Sequence, residues 1–240
     1  MNIFIDTVER ILADHVTPAL IEASERSEAP ERLLAALDEN GLFDLLVPED
    51  RGGIGASMAD AVAIMRSVGH AAAPGPILEL IVERTGLKGE PALQTAALLN
   101  AGRITGAIRW TFERTAEYAN ERVVFGKPLG KQQAVQQMLA LLADHTLAAT
   151  AITDAAAANP SLRLIAAARA RLGEASDCAI EVSHQVHGAL GFTREYALNY
   201  RTRRLMAWRD DYGSVLDWKR TLGGMFVGVK AEDFWATING

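Results

Sequence analysis

Three long helical stretches constrain this chain more than any other feature of its sequence. They run from about Leu93 to Val123, Gln132 to Ala157 and Leu162 to His187. In the middle stretch Val135, Met138, Leu139, Leu142, Leu147 and Ile152 recur at helical spacing. The breaks between stretches are short, Phe125-Gly126-Lys127-Pro128 and Asn159-Pro160-Ser161. Helices of about 25 residues joined by such turns lie antiparallel as neighbours, which is the pattern of a bundle. Alanine recurs throughout and aromatics make up only 6% of residues, a bias toward helix and away from strand. No alternating strand pattern exceeds four residues, and no internal repeat is evident. Gly102 and Gly106 sit four apart on one helix face, where they allow a second helix to approach closely.

The first third reads as shorter helices. Ile5, Val8, Ile11, Leu12 and Val16 form one stripe, closed by Pro18. A second helix starts near Pro30, carries Leu33, Leu34 and Leu37, and stops at Gly41, suited to a left-handed cap. Ser57 with Asp60 three residues on marks the start of another. Pro74-Gly75-Pro76 interrupts the pattern before a further short helix. Residues 85–92, with two glycines and a proline, read as a linker, which gives an N-terminal helical domain of residues 1–84 and a bundle of residues 93–240. A last helix is expected from about Val215 to Phe226.

Charge and cysteine content exclude several functions. A net charge of −6 argues against general nucleic-acid binding, which needs a basic surface. A single cysteine, Cys178, rules out an internal disulfide framework and a cysteine-rich zinc site. The N-terminus lacks a basic region followed by an apolar run, and no uninterrupted apolar stretch is long enough for a membrane span, so a cytoplasmic location is expected. Arg51-Gly52-Gly53-Ile54-Gly55 suggests a dinucleotide loop, but Glu49 and Asp50 would face the phosphate; a structural loop fits better. His184 and His187 lie three apart without Cys, Asp or Glu at ligand spacing, which favours helix-end histidines over a metal site.

Two stretches carry more chemistry. From Tyr118 to Gln136 a helix ends in Arg122, a Phe-Gly turn and Pro128 follow, and a new helix opens with glutamines. A basic side chain facing free helix-start amides suits a phosphate, and an ordinary helix–helix turn has the same pattern. From Gln185 to Leu205 come Gly188 and Gly191, then Arg194, Arg201, Arg203 and Arg204. This basic stretch suits an anionic ligand or acidic partner, or a solvated face.

Arg122-Val123-Val124-Phe125-Gly126-Lys127-Pro128, continued to Gln133-Ala134-Val135-Gln136, resembles the R-x-x-FG-x-P-x-x-x-QA-x-Q stretch of acyl-CoA dehydrogenases. Gln185 to Phe192 resembles that family's Q-x-x-GG-x-GF stretch, and Leu37 to Ser57 its GL-x-x-LLVPE-x-x-GG-x-G segment, in the family's order. The resemblance implies an all-α chain of an N-terminal helical domain packed on a C-terminal four-helix bundle. It also implies FAD and an acyl-CoA substrate dehydrogenated across its α and β carbons. By motif position Arg122, Phe125 and Gln133 would reach a flavin held mainly by a neighbouring subunit. Gln185, Gly188 and Ala189 would line its pyrophosphate, with Ala189 where the family has a second glycine.

Two departures matter. The family's middle β-domain has no counterpart here, and the family's catalytic glutamate aligns with Tyr212. The alternative base position aligns with Ala96, which accepts no proton. Asp211 is the nearest carboxylate and the candidate base. Three readings follow: an acyl-CoA dehydrogenase or a shortened subunit of one, a catalytically silent assembly or regulatory subunit without FAD, and a free-standing helical binder of an acyl chain or CoA. Oligomers are expected, either homodimers or homotetramers or a hetero-oligomer with a full-length homologue.

Overall fold

Helix signals place nearly every segment. The computed structural model describes residues 2–194 and 196–239. Helices α1 (Asn2–His15), α2 (Pro18–Glu25), α3 (Glu31–Glu39), α4 (Met58–Ala71) and α5 (Ile77–Thr85) form the N-terminal layer. Helices α6 (Gly89–Glu121), α7 (Gln133–Ala158), α8 (Leu162–His187) and α9 (Ala197–Asp210) form the bundle. Helix α10 (Val215–Gly224) lies against α8, and α11 (Phe234–Asn239) follows. A two-residue hairpin, β1 (Val123–Val124) with β2 (Lys127–Pro128), is the one antiparallel pairing among the described residues.

Caps fix the boundaries as the sequence indicates. Ser57 accepts from the Asp60 amide at 3.2 Å and Ser161 from the Leu164 amide at 3.3 Å. Gly41 adopts φ 79° directly after α3. The Gly52-Gly53 loop is structural: the amides of Gly53, Ile54, Gly55 and Ala56 bond back onto carbonyls of residues 44–48. A side chain at Gly53 would meet the Val47 carbonyl.

Three expectations are corrected. The expected linker of 85–92 shrinks to Gly86–Lys88, because α6 already begins at Gly89. Pro91 lies in the first turn, where a helix needs no amide donor, so it starts the helix rather than breaking it. The basic stretch forms α9, and two of its arginines turn inward. Arg201 stacks on Trp110 at 3.6 Å and donates to the His70 carbonyl; Arg204 donates to the Ala73 carbonyl and the Ser24 hydroxyl. They sew α9 onto the end of α4. Finally, Pro18 opens a helix of its own, α2, capped by the Thr17 hydroxyl.

One apolar core lies within the N-terminal layer around Leu33, Leu37, Ile64 and Leu78, and another lies within the bundle around Leu98, Ile104, Leu142 and Leu172. Helix α6 feeds both, with Ala96 and Leu99 facing the first and Ala97, Leu98 and Ala101 the second. The crossing of α4 on α6 is built on glycine. An added Cβ would lie 1.8 Å from the Arg103 carbonyl oxygen at Gly69, 1.9 Å from that of Arg66 at Gly106, and 2.6 Å from that of Val62 at Gly102. The close approach expected of Gly102 and Gly106 is thus present, and α4 meets it with its own Gly69.

Candidate functional site

Helices α6 and α8 run parallel, and their C-terminal ends are clasped by Tyr118 stacked on His187, ring centroids 4.3 Å apart. The two chemistry-bearing stretches therefore leave the bundle at the same end. Arg122 caps α6 in extended conformation. The hairpin turns at Phe125 (φ 53°) and Gly126 (φ 76°), two left-handed residues as a tight type I′ turn requires. The Leu129 amide closes the loop on the Arg122 carbonyl at 2.7 Å. No side chain caps the start of α7, so its first amides, beginning at Gln133, face outward without an internal partner. Arg122, Phe125 and Gln133 are all exposed, Phe125 to 97%.

Gly188 follows α8 with φ 59° and ψ −143°, a conformation open essentially to glycine, and the space before its Cα is empty. Ala189 is exposed beside it. Gly191 instead serves packing, since a side chain there would press on His184, His187 and Leu198. Gln185 is placed differently. It lines a groove of about 480 Å³ between α7 and α8 shared with Met138, His145, Asp177 and Glu181. The residues thus form an exposed rim: free amides, one arginine, an open glycine and apolar Phe125, Val123 and Phe192. This rim fits one face of a flavin nucleotide, with Arg122 and the α7 amides suited to its phosphates. It does not enclose a ring, and the carboxylates beside Gln185 oppose a pyrophosphate in that groove.

The histidines of this end are engaged singly. His184 meets the Thr202 hydroxyl at 3.0 Å and stacks on Phe192; His187 Nδ1 meets the Ser183 carbonyl at 2.8 Å. Burial lowers the pKa of both. Among the described residues no group of three or more His, Cys, Asp or Glu is arranged to hold a metal, and no helix is long and apolar enough to cross a membrane.

The loop between α9 and α10 carries the candidate base, and here the structure adds residues that the sequence reading did not single out. Arg103, 7% exposed at its side chain, lies on the Trp208 ring at 4.5 Å. It donates to Asp211 Oδ2 at 3.1 Å and to Asn100 Oδ1 at 2.8 Å. Asn100 returns a bond to the Trp208 carbonyl at 2.8 Å. Arg169, also buried, donates to the carbonyls of Arg209 and Asp211 at 2.9 and 2.7 Å. Burial lowers the pKa of both guanidinium groups, that of Arg169 to about 10. Asp211 is therefore tied by carboxylate and carbonyl to two buried arginines. Tyr212 (φ 60°) points its hydroxyl at Glu79, and burial together with that carboxylate raises the phenol further from a base's range. Ala96 is buried in the N-terminal core.

Two family models account for nearly the whole chain. Residues 2–87 match the N-terminal domain of acyl-CoA dehydrogenases, and residues 90–209 match their C-terminal domain. The chain belongs to the acyl-CoA dehydrogenase family. The two matches leave only Lys88 and Gly89 between them, so no middle domain intervenes. Among curated relatives, the acyl-CoA dehydrogenase IpdE2 of Mycobacterium tuberculosis is 25% identical over an alignment 281 positions long, gaps included, covering 83% of this chain and 88% of the relative. The probable acyl-CoA dehydrogenase YdiO of Escherichia coli is 36% identical over 118 residues, 47% of this chain and 29% of its own. The fold recurs in a chain of the ChsE4-ChsE5 complex from Mycobacterium tuberculosis, with TM-score 0.84 and 16% identity over 96% of this chain and 98% of that one. Glutaryl-coenzyme A dehydrogenase in its glutaryl-CoA complex matches at TM-score 0.55 and 26% identity, over 65% of this chain and 39% of that one.

Proposed function

We propose that this acyl-CoA dehydrogenase relative works as the shortened subunit of a hetero-oligomer whose partner is a full-length homologue. One observation carries the reading: the motif-bearing rim is exposed, whereas the loop that should present the base is locked by Arg103 and Arg169. The chain retains what touches a flavin from outside and lacks what removes a proton. In its favour, the ChsE4-ChsE5 and Tcur3481-Tcur3483 structural neighbours are complexes of two named chains.

In this reading FAD, when bound, supplies the hydride acceptor for the α,β-dehydrogenation of an acyl-CoA thioester. Arg122 and the free amides at Gln133 bind the nucleotide's phosphates, and Phe125 covers its apolar face. Gly188 and Ala189 let the backbone approach without a large side chain in the way. Asp211 positions the α9–α10 loop through its ion pair, and the partner provides the proton acceptor and the cover that excludes water. A silent subunit without FAD remains the second reading, favoured by the same locked loop.

Absorbance near 450 nm, measured on the chain alone and on a complex co-expressed with an adjacent full-length homologue, tests this. The expected result is a colourless chain and a yellow complex. Phe125→Ala, at a fully exposed tip, should leave the melting temperature unchanged and weaken flavin retention in the complex. A complex that stays colourless with added FAD refutes the proposal in favour of the silent subunit.

A further inference from the structure

A second cavity lies away from the rim, bounded by α1, α4 and α6 with the start of α9, and measures about 620 Å³. That is within the range of small-molecule sites. Leu12, Val16 and Trp110 give it an apolar wall, and Arg66, Arg109 and Arg201 give it a cationic one. Arg66 is neutralised by Asp154 at 2.5 Å and Arg109 by Glu113 at 2.8 Å. For Arg201 no carboxylate partner is found among the described residues. Its donors reach only the carbonyls of Ala197 and His70, both at 3.3 Å, and its Nε is buried without a partner. Glu9, the carboxylate on this wall, accepts from the Ser67 hydroxyl at 2.8 Å.

A guanidinium withdrawn from water is costly unless an anion meets it. Burial, with Arg204 nearby, brings the Arg201 pKa down to about 10. An incoming anion would reverse both effects. The planar fork of Arg201, its Cζ 3.6 Å from the centre of the Trp110 ring, can take an oxyanion while apolar groups beside it take an apolar body. We propose that this cavity binds an amphiphile with an oxyanion head and an apolar body, the head on Arg201 and the body against Leu12, Val16 and Trp110. Carboxylate and phosphate heads share the required chemistry. Trp110 precedes Arg122 by about 18 Å along α6 at the helical rise, so this site is separate from the flavin rim and independent of it.

Titration calorimetry of the full chain with decanoate, decyl phosphate, decyltrimethylammonium and decanol, each below its micellar concentration, tests the proposal. At least one anion should bind saturably with one site per chain, and the cation and alcohol about tenfold more weakly or not at all. Arg201→Gln should weaken anion binding about tenfold. That arginine also ties α9 to α4, so a second variant guards against misfolding: Ala13→Trp, on the exposed cavity edge of α1, adds bulk to the cavity and leaves Arg201 in place. It should abolish anion binding and leave flavin uptake by the partner complex unchanged. Equal binding of all four probes, binding of none, or full anion binding by Ala13→Trp overturns the proposal.

Discussion

Replacing Asp211 by asparagine separates a strut from a base. The substitution keeps an acceptor oxygen near Arg103 and removes the charge. In a fully buried pair, loss of one partner costs about 3–5 kcal/mol. Two features reduce that figure here. The Asp211 side chain is 45% exposed, so water screens part of the interaction. Arg103 also keeps both bonds to Asn100 Oδ1, at 3.0 and 2.8 Å, and its place on Trp208. The expected loss is about 1–2 kcal/mol, or a fall in melting temperature of roughly 2–8 °C for a chain of this size. Thermal denaturation followed by circular dichroism reads it directly. Turnover of a partner complex should change less than about threefold once folded protein is matched, whereas loss of a general base costs about a hundredfold or more. A hundredfold loss of turnover at an unchanged melting temperature would refute the strut and make Asp211 the base.

Other perturbations test the rest of the framework. Gly106→Ala should destabilise by about 2 kcal/mol or more despite alanine's gain of about 1 kcal/mol in helix propensity, because the new methyl would lie 1.9 Å from the Arg66 carbonyl oxygen. Gly223→Ala in α10, where the added methyl meets nothing within 4 Å, should instead stabilise by about 0.4–1 kcal/mol; denaturant melts compare the pair. Burial lowers the His187 pKa, so the unfolded chain binds the proton that the folded one refuses. Stability should therefore be fullest above the ordinary histidine pKa near 6.5 and decline as pH falls through the lowered folded value. His187→Phe, which keeps a ring on Tyr118, should flatten that slope in melts between about pH 7 and 5.

Local signals in the sequence reached most of the helices because each boundary is set by neighbouring residues. Ser57 and Gly41 cap as read, and Ser161 of the expected break caps α8, since a cap needs only its own turn. The α4–α6 crossing was half legible: the glycines of α6 stood out, and Gly69 acquired meaning only once α4 lay across them. Long-range pairing was not legible at all. Arg201 on Trp110 and Arg103 on Asp211 join residues about a hundred positions apart in one chain, and a lone sequence gives no register between such helices. Hence a stretch that looked like an external basic face became the seam between α9 and α4. The site divides the same way. Its motif stretches are each contiguous in sequence, whereas the contacts of Asp211 depend on what α6 and α8 place beneath it.

With no middle domain between the two family matches, the two layers meet directly along one seam. Helix α6 begins three residues after α5 ends and must serve both cores at once, so no flexible tether separates the two layers. Glycines bring α4 and α6 into backbone contact, and Val62, Ile64 and Met65 of α4 pack apolar area against Leu98 and Leu99 of α6 beside them. Directional contacts add to that packing, as Arg66, Arg201 and Arg204 reach Thr105, the His70 carbonyl and the Ala73 carbonyl across the seam. A joint held this way resists rotation. The bundle end bearing Phe125 and Gly188 is therefore held at a set angle to the N-terminal layer, which is the pre-organised surface that the proposed partner would need.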